Sequence, residues 1–478
     1  MLAAMSLPPT TTPSGDETPV RGRDDACPGA LRLHPADDGA LARIRVPGGL
    51  LTARQAQVLG RVAEELGDGR LDITSRGNAQ VRGLAAGCGA ELAARLRAAG
   101  LLPSDRHDRV RNIVASPLSG LDGGGHADVV AWVRELDAVL CDEASVDALA
   151  GRGELSGLSG RFLFALDDGR GDVAALGADV TLIATPGGGA VLRVGAARAG
   201  AGVASVATGW AAAGGEVWVR SEDAARAAAL AAVEFLARAR KSGTRAWRVR
   251  ELPAQHAVTT DGLTARLADA GIEAVRTNHR PAASAAPPAP GLVPGPDGRH
   301  ALSVALPLGR VSAAQWRLLA GLASRSGADE LRMTPWRGVV LPGFAPDDTR
   351  GALSELSDAG LVTTPDSPWL GVGACTGRPG CAKSLADVRA HATRMVGGTA
   401  SGGDRQGAPD PLPVYVSGCE RRCGHPGGRW VDALATGDTR YRVTVRGGAR
   451  GDTPEAEDGV EVTAEQLAGA VAAARGTT

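Results

Sequence analysis

Residues 42–55 read ARIRVPGGLLTARQ, and residues 302–315 read LSVALPLGRVSAAQ. A shift of 260 positions lays the first on the second: Pro47 falls on Pro307, Gly49 on Gly309, Thr52 on Ser312 and Gln55 on Gln315. The match continues without a gap for about seventy residues, with Thr74 on Thr334, Gly83 on Gly343, Gly100 on Gly360 and Leu101 on Leu361. Each copy carries a β-rich run (Ala42–Val46; Leu302–Leu306), a Pro/Gly turn and an S/T-x-x-Q capping box (Thr52/Gln55; Ser312/Gln315). Apolar residues then recur at helical spacing (Val58, Leu59, Val62, Leu66; Leu318, Leu319, Leu322), and a second strand follows (Leu71–Thr74; Leu331–Thr334). Chance similarity in Ala/Gly-rich sequence does not reproduce turn, cap and strand together in register. The spacing predicts one strand–helix–strand module used twice.

Working outward, a shift of 251 matches Asp179–Thr185 (DVTLIAT) to Trp430–Thr436 (WVDALAT), and Val191–Val194 to Arg442–Val445. A larger α/β module is therefore duplicated as well. Residues 1–25 have no hydrophobic period and read as a disordered tail, and the proline-dense stretch 281–298 reads as a linker. The expected organisation is a tail (1–25), a first small module (26–106), a first α/β domain (107–280), the linker (281–298), a second small module (299–362) and a second α/β domain (363–478).

Length and charge agree with several cores in one chain. The 478 residues exceed a single domain, and 52 Lys+Arg against 53 Asp+Glu leave a net charge of −1, which argues against a dedicated nucleic-acid binder. No apolar run is long enough to span a membrane, and the first residues lack a signal-peptide pattern, so a cytoplasmic protein is expected. Aromatics are only 3 % of the chain, so the cores must be built from Ala, Val and Leu.

Seven cysteines are too few, and odd in number, for a disulfide scaffold. Cys375 and Cys381 stand in C-x5-C, Cys419 and Cys423 in C-x3-C, with 37 residues between the pairs. Four thiolates from two Gly/Pro-rich loops suit a [4Fe-4S] cluster, whereas structural zinc more often uses C-x2-C knuckles. Cys27, Cys88 and Cys141 have no partner at ligand spacing and read as plain thiols. Under the 260 shift Cys375 falls on Ala115, and near a shift of 250 Cys419 falls in Asp167–Gly169, so the first half keeps the scaffold without the cluster. That half instead gathers Arg43, Arg45, Arg76, Arg82, Arg111 and Arg161, with Gln80 among them, at loop ends expected to converge. A single Arg is usually a solvated surface residue; a ring of them suits a small polycarboxylate.

The set ARIRVPGG (42–49), TSRGNAQVRG (74–83), RNIVASP (111–117), LSGRF (158–162), ACTGRPGC (374–381) and SGCERRCGHP (417–426) resembles the sirohaem-dependent nitrite/sulfite reductase superfamily along nearly the whole chain. Within it, TPWRG (334–338) and CGHP (423–426) are most similar to the precorrin-3B synthase branch. The resemblance implies an α+β architecture of two ferredoxin-like half-domains beside two larger α/β domains, with a tetrapyrrole site near the cluster. It places Arg43, Arg76, Arg111 and Arg161 at that site, Arg161 where a lysine is usual; with Arg45, Gln80 and Arg82 from the same loop ends they make up the candidate tetrapyrrole-binding set, with Arg43, Arg111 and Arg161 as catalytic candidates and Cys423 nearest the tetrapyrrole. For the precorrin-3B branch it implies precorrin-3A as substrate, molecular oxygen, an external electron donor and a possible mononuclear non-haem iron, for which His107, His126 and His425 are the nearest histidines. The alternatives are a reductase with bound sirohaem acting on sulfite or nitrite, and a non-catalytic iron-sulfur sensor or carrier. Three departures bear on the choice. Leu163 stands where the reductases carry a second basic residue, Glu420-Arg421-Arg422 replaces Pro-Asn-Gly, and His425 replaces an Arg.

Overall fold

The computed structural model describes residues 25, 27–142, 155–195, 216–277, 286–398, 411–447 and 459–476. Residues 1–24 of the expected tail lie outside them.

Both small modules begin as the sequence predicts. Thr52 and Ser312 accept the N–H of Gln55 and Gln315, whose side chains return to the cap N–H, and the helices Ala53–Glu65 and Ala313–Arg325 follow. The glutamines also serve the next helix turn in each copy: Gln55 Nε2 donates to the Ala99 carbonyl at 3.1 Å and Gln315 Nε2 to Ala359 at 2.8 Å. The predicted strands appear as Gly39–Ile44 and Arg70–Ile73 in one copy, and as His300–Ala305 and Glu330–Met333 in the other.

Between turn and helix lies a short strand that the sequence reading did not anticipate, Leu50–Thr52 in one copy and Arg310–Ser312 in the other. Each leaves its own module and completes the other's five-stranded sheet. Arg310 stands opposite Asp72 and Ser312 opposite Arg70, while Leu50 stands opposite Arg332 and Thr52 opposite Glu330. The 260 shift carries each pairing onto the other. Gly49, at φ +73, makes the entry possible, since a Cβ there would overlap the Met333 carbonyl. The two helices pack together over one shared core, where the indole of Trp316, fully buried, donates to the Ala56 carbonyl at 2.7 Å. Positions 316 and 56 are themselves equivalent under the shift.

The two larger domains also repeat. In the first, Ile113–Ala115, Phe164–Asp167 and Val180–Ala184 run parallel, and Ala190–Val194 returns antiparallel. In the second, Val372–Ala374, Val414–Ser417 and Trp430–Ala435 run parallel and Arg440–Arg446 returns antiparallel. Val180 faces Val194 and Val431 faces Val445, so the 251 shift preserves the register. One helix, Ala224–Ser242, supplies most of the Ala/Leu surface against the first sheet, as the low aromatic content requires.

Two expectations need correction. Within the stretch read as a linker, Gly291–Pro294 forms an edge strand on His300–Ala305, where proline is tolerated; residues 278–285 lie outside the described residues. The strand registers also place Cys375 on Ser116 rather than Ala115, because Ile113 pairs with Phe164 as Val372 pairs with Val414. Among the described residues no helix is long and apolar enough to cross a membrane.

Candidate functional site

Cys375 follows the strand Val372–Ala374, and Cys419 follows its parallel neighbour Val414–Ser417. Both loops thus leave the carboxyl ends of adjacent parallel strands, where open α/β sheets form their crevices. Cys375, Cys381 and Cys419 are part-exposed and Cys423 is exposed. The Cys375 thiol lies within electrostatic range of Cys381 and Cys419, and the Tyr415 phenol within range of Cys375 and Cys423. Gly418 N–H donates to Cys375 Sγ at 3.2 Å, and a side chain at 418 would overlap Ser384 Oγ. Burial pushes the Cys375 thiol up, while the Gly418 and Gly377 N–H groups pull it down. Beside the loops, Ser417 Oγ is buried without a hydrogen-bond partner among the described residues. Four thiols carried on these two loops, an amide aimed at sulfur and an unsatisfied hydroxyl suit a [4Fe-4S] cluster. Arg422, at φ +44, occupies the third place between the last two cysteines and is held inward by Asp432 (Nε to Oδ2, 2.6 Å), which is fully buried.

The first half shows the same frame with oxygen in place of sulfur. Ser116 N–H donates to Leu166 O as Cys375 N–H does to Val416 O, and Asp168 N–H donates to Ser116 Oγ at 3.1 Å as Gly418 does to Cys375 Sγ. Ser116 in turn donates to Asp172 at 2.6 Å. Asp167, Asp168 and Asp172 crowd there, yet Asp167 is saturated by the N–H groups of Gly169, Gly171, Val173 and Ala174, and Asp168 pairs with Arg170. Burial raises the Asp172 carboxyl.

Of the predicted arginines, the structure brings Arg43, Arg45 and Arg76 together around the Gly160 carbonyl and Cys27. Arg45, 2 % exposed, reaches Cys27 Sγ at 3.3 Å and Gly160 O at 3.4 Å, and Arg76 reaches Gly160 O at 3.4 Å. Arg43 donates to Gln80 Oε1 at 3.1 Å and lies 3.8 Å from Cys27 Sγ. Asn112, from the RNIVASP stretch, ties this loop to the TSRGN stretch through Asn78 at 2.9 Å. None of the three arginines has an ion-pair partner within 4.0 Å among the described residues, and Arg43 Nε and Arg45 Nη1 are buried without an acceptor. Burial, with Arg248 and Arg45 nearby, pulls the Arg76 guanidinium down to about 10. Burial lowers Arg45 too.

The other arginines sit elsewhere. Arg161 is exposed, stacks 4.9 Å over the Trp247 ring and stands 4.0 Å from Asp25, which is anchored by Ser159 and the Gly160 N–H. Arg111 is not in the group: it is buried in a two-pronged pair with Asp137 (2.6 and 2.7 Å) and donates to the Leu101 carbonyl. Arg82 is likewise paired with Asp38, facing the cysteine loop. Leu163 is buried in an apolar cluster with Val114, Ala165, Val173 and Ala178 against Trp336. The histidines do not converge: His107 bonds Ser104, His126 N–H donates to Asp168 O, and His425 stacks on Trp430. Sequence reasoning missed Cys27, Asn78, Asn112 and Trp247. The asparagines stand inside quoted motifs, but Cys27 carries no spacing signal at all.

The description "Nitrite/Sulfite reductase ferredoxin-like half domain" matches residues 34–99 and 293–359. A precorrin-3B synthase from Sinorhizobium sp is 25 % identical over 464 residues, covering 94 % of this chain and 88 % of that protein. A ferredoxin–nitrite reductase from Synechococcus elongatus is 27 % identical over 401 residues, 81 % of this chain and 74 % of that one. The solved NirA protein of Mycobacterium tuberculosis shares the fold at a TM-score of 0.61, with 19 % identity over 90 % of this chain and 79 % of that chain. Each copy thus carries a nitrite/sulfite reductase ferredoxin-like half domain, and along most of its length the chain is similar to proteins of that superfamily.

Proposed function

We propose that the protein is an oxidoreductase of the precorrin-3B synthase type, converting precorrin-3A to precorrin-3B in the cytoplasm. The observation that carries this is the convergence of Arg43, Arg45 and Arg76 with no carboxylate paired to them among the described residues. One buried and two half-buried guanidinium groups without a paired carboxylate among the described residues suit an anionic ligand, and a tetrapyrrole rich in propionate and acetate groups supplies several. Arg43, on the strand Gly39–Ile44, and Arg45, just past its end, would hold one edge of the ligand. Arg76 and the exposed Arg161 would hold another, with Gln80 fixing the Arg43 fork. Cys375, Cys381, Cys419 and Cys423 would hold a [4Fe-4S] cluster, which supplies one-electron transfer when bound. In the overall reaction one oxygen atom of O2 enters the product and the other leaves as water, with two electrons and two protons drawn from an external donor.

Leu163 favours this reading over sulfite or nitrite reduction. Adding six electrons to either anion needs several proton-bearing cations over the reacting atom, and the resemblance sets Leu163, which lies in an apolar cluster, at one of those positions. Reductases of similar identity keep that activity as the rival. A sensor or carrier alone has no use for the unpaired arginines. Incubating the purified protein aerobically with precorrin-3A and an electron donor should give a product heavier by one oxygen. Extractable sirohaem with robust sulfite turnover would decide for the rival.

A further inference from the structure

We propose that Arg82 is a positioning residue for the iron-sulfur loop rather than a tetrapyrrole contact: with Asp38 it forms a latch from the first half-domain onto the Gly380 carbonyl, fixing the peptide that leads into Cys381. The inference rests on the cluster reading above.

Three observations carry it. Arg82 Nε and Nη2 grip Asp38 at 2.8 and 2.7 Å, and the same Nη2 donates to Gly380 O at 2.8 Å across 298 residues of sequence. The Arg82 side chain is 5 % exposed and Gly380 is buried, so water does not compete for this carbonyl. The approach is close: a Cβ on Gly380 would stand 2.6 Å from Asp38 Oδ2. One residue further on, the Ala382 N–H donates to Asp37, so adjacent carboxylates of a single hairpin serve both sides of Cys381.

The physical consequence follows from peptide planarity. In a trans peptide the N–H points opposite to the C=O, so a Gly380 carbonyl held on Arg82 turns the Cys381 N–H away from the half-domain and fixes the direction from which the thiol leaves the chain. Without the latch this Gly/Pro loop is free to rotate the peptide, and a metal-binding thiol loses its preset direction. The pairing with Asp38 neutralises Arg82, which leaves it poorly placed to attract a substrate carboxylate. A comparable hold serves the other cysteine loop, where the Tyr415 hydroxyl donates to Cys423 O at 2.5 Å and Arg337 of the second half-domain to Gly424 O at 3.4 Å.

The test uses full-length protein loaded with iron and sulfide under anaerobic conditions and challenged with a ferrous chelator, cluster loss being followed by visible absorbance. Arg82→Met should lose its cluster roughly tenfold faster than wild type, the effect expected when a partner of a metal ligand is removed. Asp38→Asn, which keeps the side-chain shape, should accelerate loss to a lesser degree and serves if Arg82→Met does not fold. Arg97→Met, which removes an exposed pair with Asp105, should leave the rate unchanged. Binding of a polycarboxylate porphyrin should be the same in wild type and Arg82→Met. Unchanged cluster lifetime in both latch variants overturns the proposal, the more so if porphyrin affinity falls. A wild-type protein that takes up no iron and sulfide overturns the cluster reading itself, a separate and visible outcome.

Discussion

Arg76 offers a test in which stability and binding should move in opposite directions. Its guanidinium is held down to about 10, well below the ordinary arginine range, first by burial and then by Arg248 and Arg45. That depression corresponds to about 3 kcal/mol of unfavourable burial and repulsion in the ligand-free protein. Against this stands one long hydrogen bond, 3.4 Å to Gly160 O, worth about 1 kcal/mol at most. Arg76→Met keeps the unbranched stem and removes the charge. After allowance for partial solvent screening, the ligand-free variant should be more stable than wild type by about 1–2 kcal/mol. The same change removes a charge-assisted contact worth roughly 1.5–3 kcal/mol, so affinity for a polycarboxylate porphyrin should fall about ten- to a hundred-fold. Urea unfolding followed by circular dichroism gives the first quantity, and absorbance titration the second. A variant that is less stable than wild type and binds equally well would refute the reasoning, because Arg76 would then be a structural arginine already satisfied by the fold.

Replacing Cys375, Cys381, Cys419 or Cys423 by Ser should abolish or badly degrade the cluster, while Cys88→Ser retains about four iron and four sulfide per chain by chemical analysis. Leu163→Lys restores the reductase pattern in sequence only. It forces a cation among Val114, Ala165, Val173 and Trp336, so thermal unfolding should reveal a loss of about 3 kcal/mol or more, with no gain of sulfite turnover. Both tyrosines of the chain are held above the usual value of 10 by burial, Tyr415 at about 12 and Tyr441 higher still. The native state therefore keeps protons that the unfolded chain releases; this stabilising contribution is complete below pH 10 and is lost as pH rises through 12. A 295 nm titration should show no native tyrosinate at pH 10.5, and half-ionised tyrosine there would contradict the burial.

The duplication and the capped helices were legible in the sequence alone, and so was the pairing of the four cysteines on two loops, because each depends on local chemistry at fixed spacing. A cap needs Thr52 and Gln55 three residues apart, and a cluster loop needs its thiols a few residues apart, whatever the rest of the chain does. The exchanged strands Leu50–Thr52 and Arg310–Ser312 were not legible: three residues carry no period, and their partners lie some 260 positions away. The arginines were legible as a set but not one by one. Identical side chains acquire different roles from carboxylates brought in by tertiary contact: Asp137 takes Arg111 and Asp38 takes Arg82, while among the described residues no carboxylate pairs with Arg43, Arg45 or Arg76. Cys27 reaches the middle of that group only because Asp25 and Asp108 fasten the N-terminal segment across the sheet through the N–H groups of Gly160, Ala30 and Leu31. Charge neutralisation depends on distance in space, which spacing along the chain does not encode.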